Sequence, residues 1–260
     1  MSSQSSPTKR QLREQRRAER VAAERAEAAA AARRTRAWRL LAAAGVAIAV
    51  VVVAALVSSS GGGKPTTSAA SAQTVTMFDG IEEHGGVLGD PNAPLTVTEY
   101  VDLQCPICAA ASRETLPALV RDYVRTGKVK LAARTLQFIG PDSIRAARVA
   151  AGAERQGRLW PFLEAFYASQ GQENSGYVTD AFLRSVAAAS GVNAATALKF
   201  ASGAGAQQQL NRANADAQAL GIDSTPTFTV ARGNGKSHVL ASGAQDPQTL
   251  AAAIDKELAG

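Results

Sequence analysis

The chain has 260 residues, a formal net charge of +6, 5% aromatic residues and abundant alanine, which favours helices of small residues over a thick all-β core. The charge is uneven: residues 1–39 hold 11 Lys and Arg against 4 Asp and Glu, and the remaining residues hold 17 against 18. Nucleic-acid binding by the C-terminal part therefore lacks electrostatic support, and two cysteines with two isolated histidines, His84 and His238, predict neither a metal site nor a cofactor.

Residues 1–39 predict a basic tail. Arg, Glu and Ala dominate residues 9–36 and favour a helix. Leu12 and Val21 are nearly the only sizeable apolar residues there, so no coiled-coil seam is expected. The simplest interpretation is a solvated, partly helical cytoplasmic tail. An alternative use is contact with an anionic membrane surface.

Residues 40–57 predict a single transmembrane helix. This uncharged run of 18 residues consists of Leu, Ala, Val, Ile and Gly and is just long enough to span a bilayer. Arginines crowd its N-terminal side and Ser and Gly follow it, which places the N-terminus in the cytoplasm and the C-terminal domain outside. A cleaved signal peptide is the alternative, but the 39-residue leader and the long run argue against it.

The outer domain is expected at residues 77–260, after a flexible linker at 58–76. The β-rich segment Leu95–Val101 predicts a buried strand. A helical pattern follows from the cysteine pair to Gly127, with a kink at Pro117, and Val129–Thr135 predicts a second strand.

The second half of the domain predicts a helical insert, a hairpin and a final helix. The pattern is helical over about residues 141–220, and its expected core residues are Trp160, Phe162, Phe166, Tyr167, Phe182 and Leu183. Two β-rich segments, 227–231 and 238–241, flank a Gly-Asn-Gly turn. Asp246-Pro247 then begins the last helix. Two α/β pieces therefore flank a helical insert.

The pair Cys105-Pro106-Ile107-Cys108 predicts dithiol–disulfide chemistry. Residues three apart on a first helical turn share one face, and a helix N-terminus favours a thiolate. We expect Cys105 to be the attacking sulfur and the more buried Cys108 to be the resolving one. A static disulfide is the alternative, but so short a loop would stabilise the fold little.

Several segments together resemble the DsbA-like branch of the thioredoxin fold, over about residues 75–260. The matching segments are Glu99–Cys108 with the lead-in Gly89–Pro94, the aromatic segment Leu159–Tyr167, and Gly221–Phe228. The resemblance implies an α/β thioredoxin-like domain with an inserted helical subdomain, here preceded by the single transmembrane helix.

The resemblance also implies roles for individual residues. Pro226 would be a cis proline beside the cysteines, and Thr225 would expose backbone groups to an extended substrate, next to Pro106 and Ile107. Glu99 would be a buried acid beneath Cys108, where burial raises its pKa and lets it shuttle a proton. The alternative for Glu99 is a strand glutamate that faces water.

The expected function is an extracytoplasmic oxidoreductase that forms disulfide bonds in exported proteins. As the resemblance implies, an integral membrane quinone-linked thiol oxidase would re-oxidise it. The strongly oxidising relatives have histidine between the cysteines, whereas Pro106 and Ile107 add no charge here. A reductase or isomerase of the same fold, and a non-catalytic membrane-tethered binding module, therefore stay open as alternatives.

Overall fold

The computed structural model describes residues 76–260. The predicted basic tail, the transmembrane helix at 40–57 and nearly all of the linker lie outside the described residues. Within residues 76–260, none of the helices combines the length and the apolar character needed to cross a membrane.

A six-stranded sheet with the order β1-β2-β4-β3-β5-β6 forms the centre of the described part. The strands are β1 Glu83–His84, β2 Val87–Leu88, β3 Leu95–Val101, β4 Val129–Thr135, β5 Thr227–Arg232 and β6 His238–Ser242. β3 runs parallel to β4 and antiparallel to β5. The four longer strands confirm the predictions, whereas the short hairpin of β1 and β2 was not predicted.

Strand β3 separates two hydrophobic layers. Leu95, Val97 and Val101 belong to the main core, and Tyr100 packs in a smaller cluster with Leu136 and residues of the following helices. Because successive side chains of a strand point to opposite faces, Glu99 is directed to the same side as Val97 and Val101. An acidic side chain therefore points into the main core.

The helix that follows β3 is interrupted. Its parts are α1 Pro106–Glu114, α2 Leu116–Leu119 and a π-helical turn, Val120–Val124. The interruption lies at Thr115, two residues before Pro117, whose ring lacks an N–H and crowds the preceding turn. The expected disturbance is therefore present, but it is a break before the proline and not a kink within one long helix.

Five helices lie between β4 and β5: α3 Pro141–Glu154, α4 Leu159–Ala168, α5 Asp180–Ala189, α6 Ala194–Ala201 and α7 Ala204–Ala219. They confirm the predicted helical insert, although residues 169–179 form a loop. Five of the six expected core residues are buried, and Phe182 is partly buried at the edge of the core.

The first N–H groups of α4 are capped by a side chain of β1 and not by the residue that precedes the helix. Arg158 precedes the helix and makes no side-chain cap. The Glu83 carboxylate instead accepts hydrogen bonds from the N–H groups of Leu159, at 2.6 Å, and Trp160, at 3.2 Å. Strand β1 is thereby attached to the helical insert.

The C-terminal part completes the fold as predicted. β5 and β6 form an antiparallel hairpin, and α8 spans Pro247–Ala259. The side chain of Asp246 caps α8 by accepting from the Thr249 N–H at 2.9 Å. Leu250 and Ile254 of α8 pack into the main core.

Candidate active site

Cys105 lies at the N-cap of α1, as the sequence predicts. The N–H of Cys108 donates to Cys105 Sγ over 3.4 Å. Pro106 occupies the first helical position, where the missing N–H wastes no hydrogen bond. The free N–H groups and partial positive charge of the helix N-terminus favour a thiolate at this sulfur.

The two sulfurs have opposite environments although they lie one helical turn apart. A hydrogen bond from the Cys108 side chain is the largest of several effects that lower the pKa of Cys105 to about 6. Burial raises the pKa of Cys108 far above its usual range, and its hydrogen bond with Cys105 adds to the increase. Cys105 is 6% exposed and Cys108 is 0% exposed. The geometry therefore favours a thiolate at Cys105 and a thiol at Cys108, both being free cysteines.

The loop immediately before β5, which is distant in sequence, contacts Cys105. The Thr225–Pro226 peptide bond is cis. The Thr225 carbonyl lies 3.4 Å from Cys105 Sγ, from which it accepts a hydrogen bond, and the Thr225 side chain helps to lower the pKa of that sulfur. Ile107, in the first turn of α1, is 44% exposed. We call Cys105, Pro106, Ile107, Thr225 and Pro226 the rim.

Glu99 is buried in the middle of the sheet, opposite Ala133 of β4 and Phe228 of β5. It is 5% exposed, so the alternative of a water-facing glutamate is wrong. Burial raises the pKa of Glu99 to about 8. The charge of Glu99 is the smallest of the effects that raise the pKa of Cys108.

A second buried acid, Glu164 of α4, was not predicted. It is 1% exposed, and its Oε2 accepts a hydrogen bond from Ser112 Oγ at 2.6 Å. Burial raises the pKa of Glu164 to about 8, the Ser112 bond opposes the increase, and the charge of Glu99 adds to it. We call Glu99, Cys108, Ser112 and Glu164 the acid cluster.

A buried carboxylate, Asp102, holds the turn between β3 and α1. Its Oδ1 accepts from the Gln104 N–H at 2.9 Å and from Ser143 Oγ at 2.6 Å. Its Oδ2 accepts from the N–H groups of Phe138, at 2.8 Å, and Ile139, at 3.1 Å. The segment after β4 and the start of α3 are therefore attached to the residues that precede the cysteines.

The loop after α4 holds the same turn from the other side. Gln170 Nε2 donates to the carbonyl oxygens of Leu103, at 2.8 Å, and Cys105, at 3.2 Å. The Asn174 N–H donates to Gln104 Oε1 at 2.7 Å. These contacts fix the backbone from which both sulfurs project, so the insert supports the site as well as covering it.

Sequence reasoning missed the insert's share of the site for an identifiable reason. The pattern of Leu159–Tyr167 indicates an aromatic packing helix, and its aromatic residues do pack. The available signal was Glu164, a single charged residue in an otherwise apolar run. A charged side chain in such a run is rarely buried without a partner. Ser112, one turn beyond Cys108 on α1, is that partner.

The arrangement is suited to thiol–disulfide exchange. Attack on one sulfur requires a thiolate, and release of the other requires a proton for the leaving sulfur. The rim supplies an acidic thiol, and the acid cluster supplies carboxyl groups that keep their protons near neutral pH.

Comparison with known proteins agrees with this geometry. The thioredoxin family model matches residues 82–256. The chain is 34% identical over 101 residues to the probable disulfide bond formation protein D of Bacillus anthracis, covering 38% of this chain and 46% of that protein. It is 29% identical over 153 residues to disulfide bond formation protein D of Bacillus subtilis, covering 55% of this chain and 66% of that protein.

A solved structure extends the likeness. The oxidised form of BdbD from Bacillus subtilis superposes with a TM-score of 0.60 at 26% identity, covering 69% of this chain and 97% of that one. The match to the Bacillus anthracis protein, in contrast, spans about half of that relative's length.

Proposed function

Because the chain belongs to the thioredoxin family and to its DsbA-like members, we propose that it is a thiol–disulfide oxidoreductase that forms disulfide bonds in exported proteins. One observation carries the proposal: Cys105 caps α1 at 3.4 Å from the Thr225 carbonyl, where its pKa is lowered to about 6, while Cys108, one turn away, is fully buried and its pKa is raised. A static disulfide or a binding module has no need of such a difference. An enzyme that alternates between thiolate and disulfide does.

The proposed reaction has two exchange steps: Glu99 supplies a proton in the first, and Cys105 is released as a thiolate in the second. A substrate thiolate attacks Cys105 of the oxidised pair, the Cys105–Cys108 bond breaks, and Cys108 leaves with the electron pair. Glu99 gives its proton to the Cys108 thiolate and becomes a carboxylate. A second substrate thiolate then attacks the substrate sulfur of the mixed disulfide and releases Cys105 as a thiolate, so that the substrate gains a disulfide and the pair is reduced by two electrons.

The rim is the proposed substrate surface. Thr225 presents backbone groups beside Cys105, and an extended peptide can pair with them as an added strand. Pro226, Pro106 and Ile107 provide apolar contact around the sulfur. Since backbone groups carry most of this recognition, many unfolded exported proteins would be accepted.

The proposed location is outside the cytoplasm, on a single-pass anchor formed by residues 40–57 with the N-terminus inside. Disulfides persist in that compartment. The reduced pair would pass its two electrons to an integral membrane thiol oxidase linked to quinone. The names of the Bacillus relatives, which refer to disulfide bond formation, support an extracytoplasmic role.

The direction of the reaction follows from the thiolate. Hydrogen bonds and the helix N-terminus stabilise Cys105 as a thiolate, and only the reduced form contains a thiolate. Stabilising the reduced form makes the disulfide a stronger oxidant. We therefore favour oxidation over reduction or isomerisation.

The decisive experiment measures the reduction potential of the Cys105/Cys108 couple against glutathione buffers, together with thermal unfolding of both redox forms. An oxidant is expected to lie above about −200 mV, with the reduced form the more stable. A potential near about −270 mV, with a more stable oxidised form, would instead identify a reductase.

Alkylation at graded pH tests whether the pair is chemically active. Iodoacetamide should react with Cys105 along a titration curve centred near pH 6. Cys108→Ser provides a single-thiol reference, although it also replaces the side chain that donates to Cys105. A non-catalytic binding module predicts an ordinary thiol, with a pKa near about 8.5.

A further inference from the structure

The buried acid Glu164 has no part in the mechanism above, although it lies close to the groups that perform it. Ser112 is four residues after Cys108 on α1, so both side chains lie on one face of that helix. Ser112 Oγ donates to Glu164 Oε2 at 2.6 Å. The Glu164 carboxyl is therefore held about one helical turn further along α1 than the Cys108 sulfur.

Tyr167 provides a second hydrogen bond between α4 and the cysteine-bearing segment. It lies three residues after Glu164, is buried, and donates from its hydroxyl to the Asp102 carbonyl at 3.3 Å. α4 is thus attached to the cysteine-bearing segment on both sides of Cys108. Glu99 of β3 is directed to the same side of the sheet as Val97 and Val101, which belong to the main core with Cys108.

We propose that Glu164, held by Ser112, forms with Glu99 a coupled pair of carboxyl groups that stores a proton beneath Cys108. Glu164 is a positioning residue in this arrangement, because it acts on the reaction through Glu99. When Glu99 gives its proton to the leaving Cys108 sulfur, one negative charge appears in the pair. Glu164 keeps its own proton, so a second negative charge does not form beside the first. The inference rests on the function proposed for Cys108 and Glu99.

The neighbouring charges agree with this arrangement at Glu164, whereas burial alone raises the pKa of Glu99. Burial and the charge of Glu99 both raise the pKa of Glu164, and the exposed Arg113 and the Ser112 hydroxyl oppose them. The charge of Glu99 also acts on Cys108 and Tyr167, and the charges of Cys105, Cys108 and Asp102 act on Tyr167. Arg113 is the one cation among the contributors to the pKa of Glu164 within the described residues, and it lies at the surface. The pair therefore lacks a buried counter-charge and relieves repulsion by keeping a proton.

The test follows the carboxyl groups directly. Infrared difference spectra of the protein labelled with ¹³C-glutamate, recorded from pH 5 to pH 10, report the protonated C=O band of buried glutamates. The full-length protein is compared with Glu99→Gln, Glu164→Gln and the double variant. Glutamine preserves size and can still accept the Ser112 hydrogen bond.

Coupling predicts that the single variants do not add up to the wild type. Each single variant should lose one titrating carboxyl, and the remaining one should ionise at least about half a pH unit below the upper step of the wild type. The shifts should be reciprocal, because the same interaction acts on both groups. If the two single-variant curves sum to the wild-type curve, the carboxyls are independent and the proposal is wrong.

Glu83→Gln is the matched control. It also removes a carboxyl with a raised pKa that contacts α4, but its contacts are at the start of that helix. It should remove its own band and leave the other two steps in place. Should Glu164→Gln fail to fold, Ser112→Ala provides a second route. It removes the donor that lowers the pKa of Glu164, so the upper step should rise, and an unchanged upper step would contradict the proposal.

A redox measurement distinguishes this inference from the proposed function. In Glu164→Gln the slope of the reduction potential of the cysteine couple against pH should change at a lower pH than in the wild type, because Glu99 ionises at a lower pH once its partner carboxyl is gone. Coupled carboxyls in a protein without exchange activity would refute the proposed function alone. Independent carboxyls in an active oxidoreductase would refute this inference alone.

Discussion

The rim and the acid cluster are separated by one turn of α1, yet they treat negative charge in opposite ways. At the rim, a hydrogen bond from the Cys108 side chain, the Thr225 side chain and backbone N–H groups lower the pKa of Cys105. In the acid cluster, burial raises the pKa values of Cys108, Glu99 and Glu164. Three residues of chain are therefore enough to separate a stable thiolate from a stable thiol, provided that one residue caps the helix and the other faces the core.

The largest effect is expected from replacing either of the two cysteines. Cys105→Ser should lower the rate of disulfide exchange by at least about 10³-fold, because no attacking sulfur remains. Cys108→Ser should instead accumulate mixed disulfides with substrates, since the resolving sulfur is missing. Non-reducing gels with mass spectrometry measure both. Equal accumulation of mixed disulfides in the two variants would show that the assignment of roles is wrong.

Removal of the proton beneath Cys108 should have the next largest effect. Glu99→Gln is expected to slow exchange at pH 7 by about 10²-fold, the size typical of a lost general acid. Stopped-flow tryptophan fluorescence during reaction with a reduced peptide measures the rate. A slowing that disappears above pH 9, where Glu99 of the wild type is already ionised, would support a proton-transfer role, and a pH-independent slowing would point to a packing defect.

The same variant tests the sign of the pH dependence of stability. The pKa of Glu99 is about 8 in the folded state, against 4.5 for an unperturbed glutamate, so wild-type stability should fall as the pH rises from about 4.5 to 8. Glu99→Gln cannot ionise and should lose less stability over that range. Urea unfolding at pH 5 and pH 8 measures the difference, and parallel curves for the two proteins would contradict a buried, protonated Glu99.

Asp102 should affect both regions together, because it holds the turn from which they diverge. Asp102→Asn replaces one of the two acceptor oxygens with an NH2 group, so two of the four donors lose their acceptor, and the free energy of unfolding should fall by about 2–4 kcal/mol. Chemical denaturation measures the loss. Asp79→Asn, at an exposed position, is the control and should change stability by less than about 0.5 kcal/mol. An equal loss in both variants would be evidence against the role given to Asp102.

The smallest effect is expected at the rim. Thr225→Val removes one of several groups that lower the pKa of Cys105, so that pKa should rise, and exchange below pH 7 should slow by less than about tenfold. Alkylation of Cys105 at graded pH measures the shift. The pKa values of Glu99 and Glu164 should not change, and a change there would mean that Thr225 acts beyond the rim.

The sequence predicted the parts of the molecule whose signals are local. β3 and β4 follow from β-rich segments next to turn residues, and the helix cap at Cys105 follows from a proline in the first helical position. β1 and β2, with two residues each, are too short for any alternation to be visible. The disturbance was predicted at Pro117 but lies at Thr115, because the proline ring acts on the turn before it.

The unpredicted part of the site depends on contacts between distant residues. Ser112 and Glu164 are 52 positions apart, and Asp102 and Ser143 are 41 apart. Glu99 was found only because a family resemblance gave its position a role. The apolar run of α4 marks Glu164 as unusual but does not identify Ser112 as its partner, since that depends on how the insert packs on α1.

The cap that Glu83 provides for α4 bears on how such a domain can change over evolution. The helix that contributes Glu164 begins on hydrogen bonds given to a residue at the margin of the sheet. The insert therefore depends on the hairpin of β1 and β2. Grafted between the same two strands of another thioredoxin fold that lacks this hairpin, α4 would begin with backbone N–H groups that have lost their acceptor. Lineages that lengthen or trim the insert must keep, or replace, a carboxylate that lies 76 positions earlier in the chain.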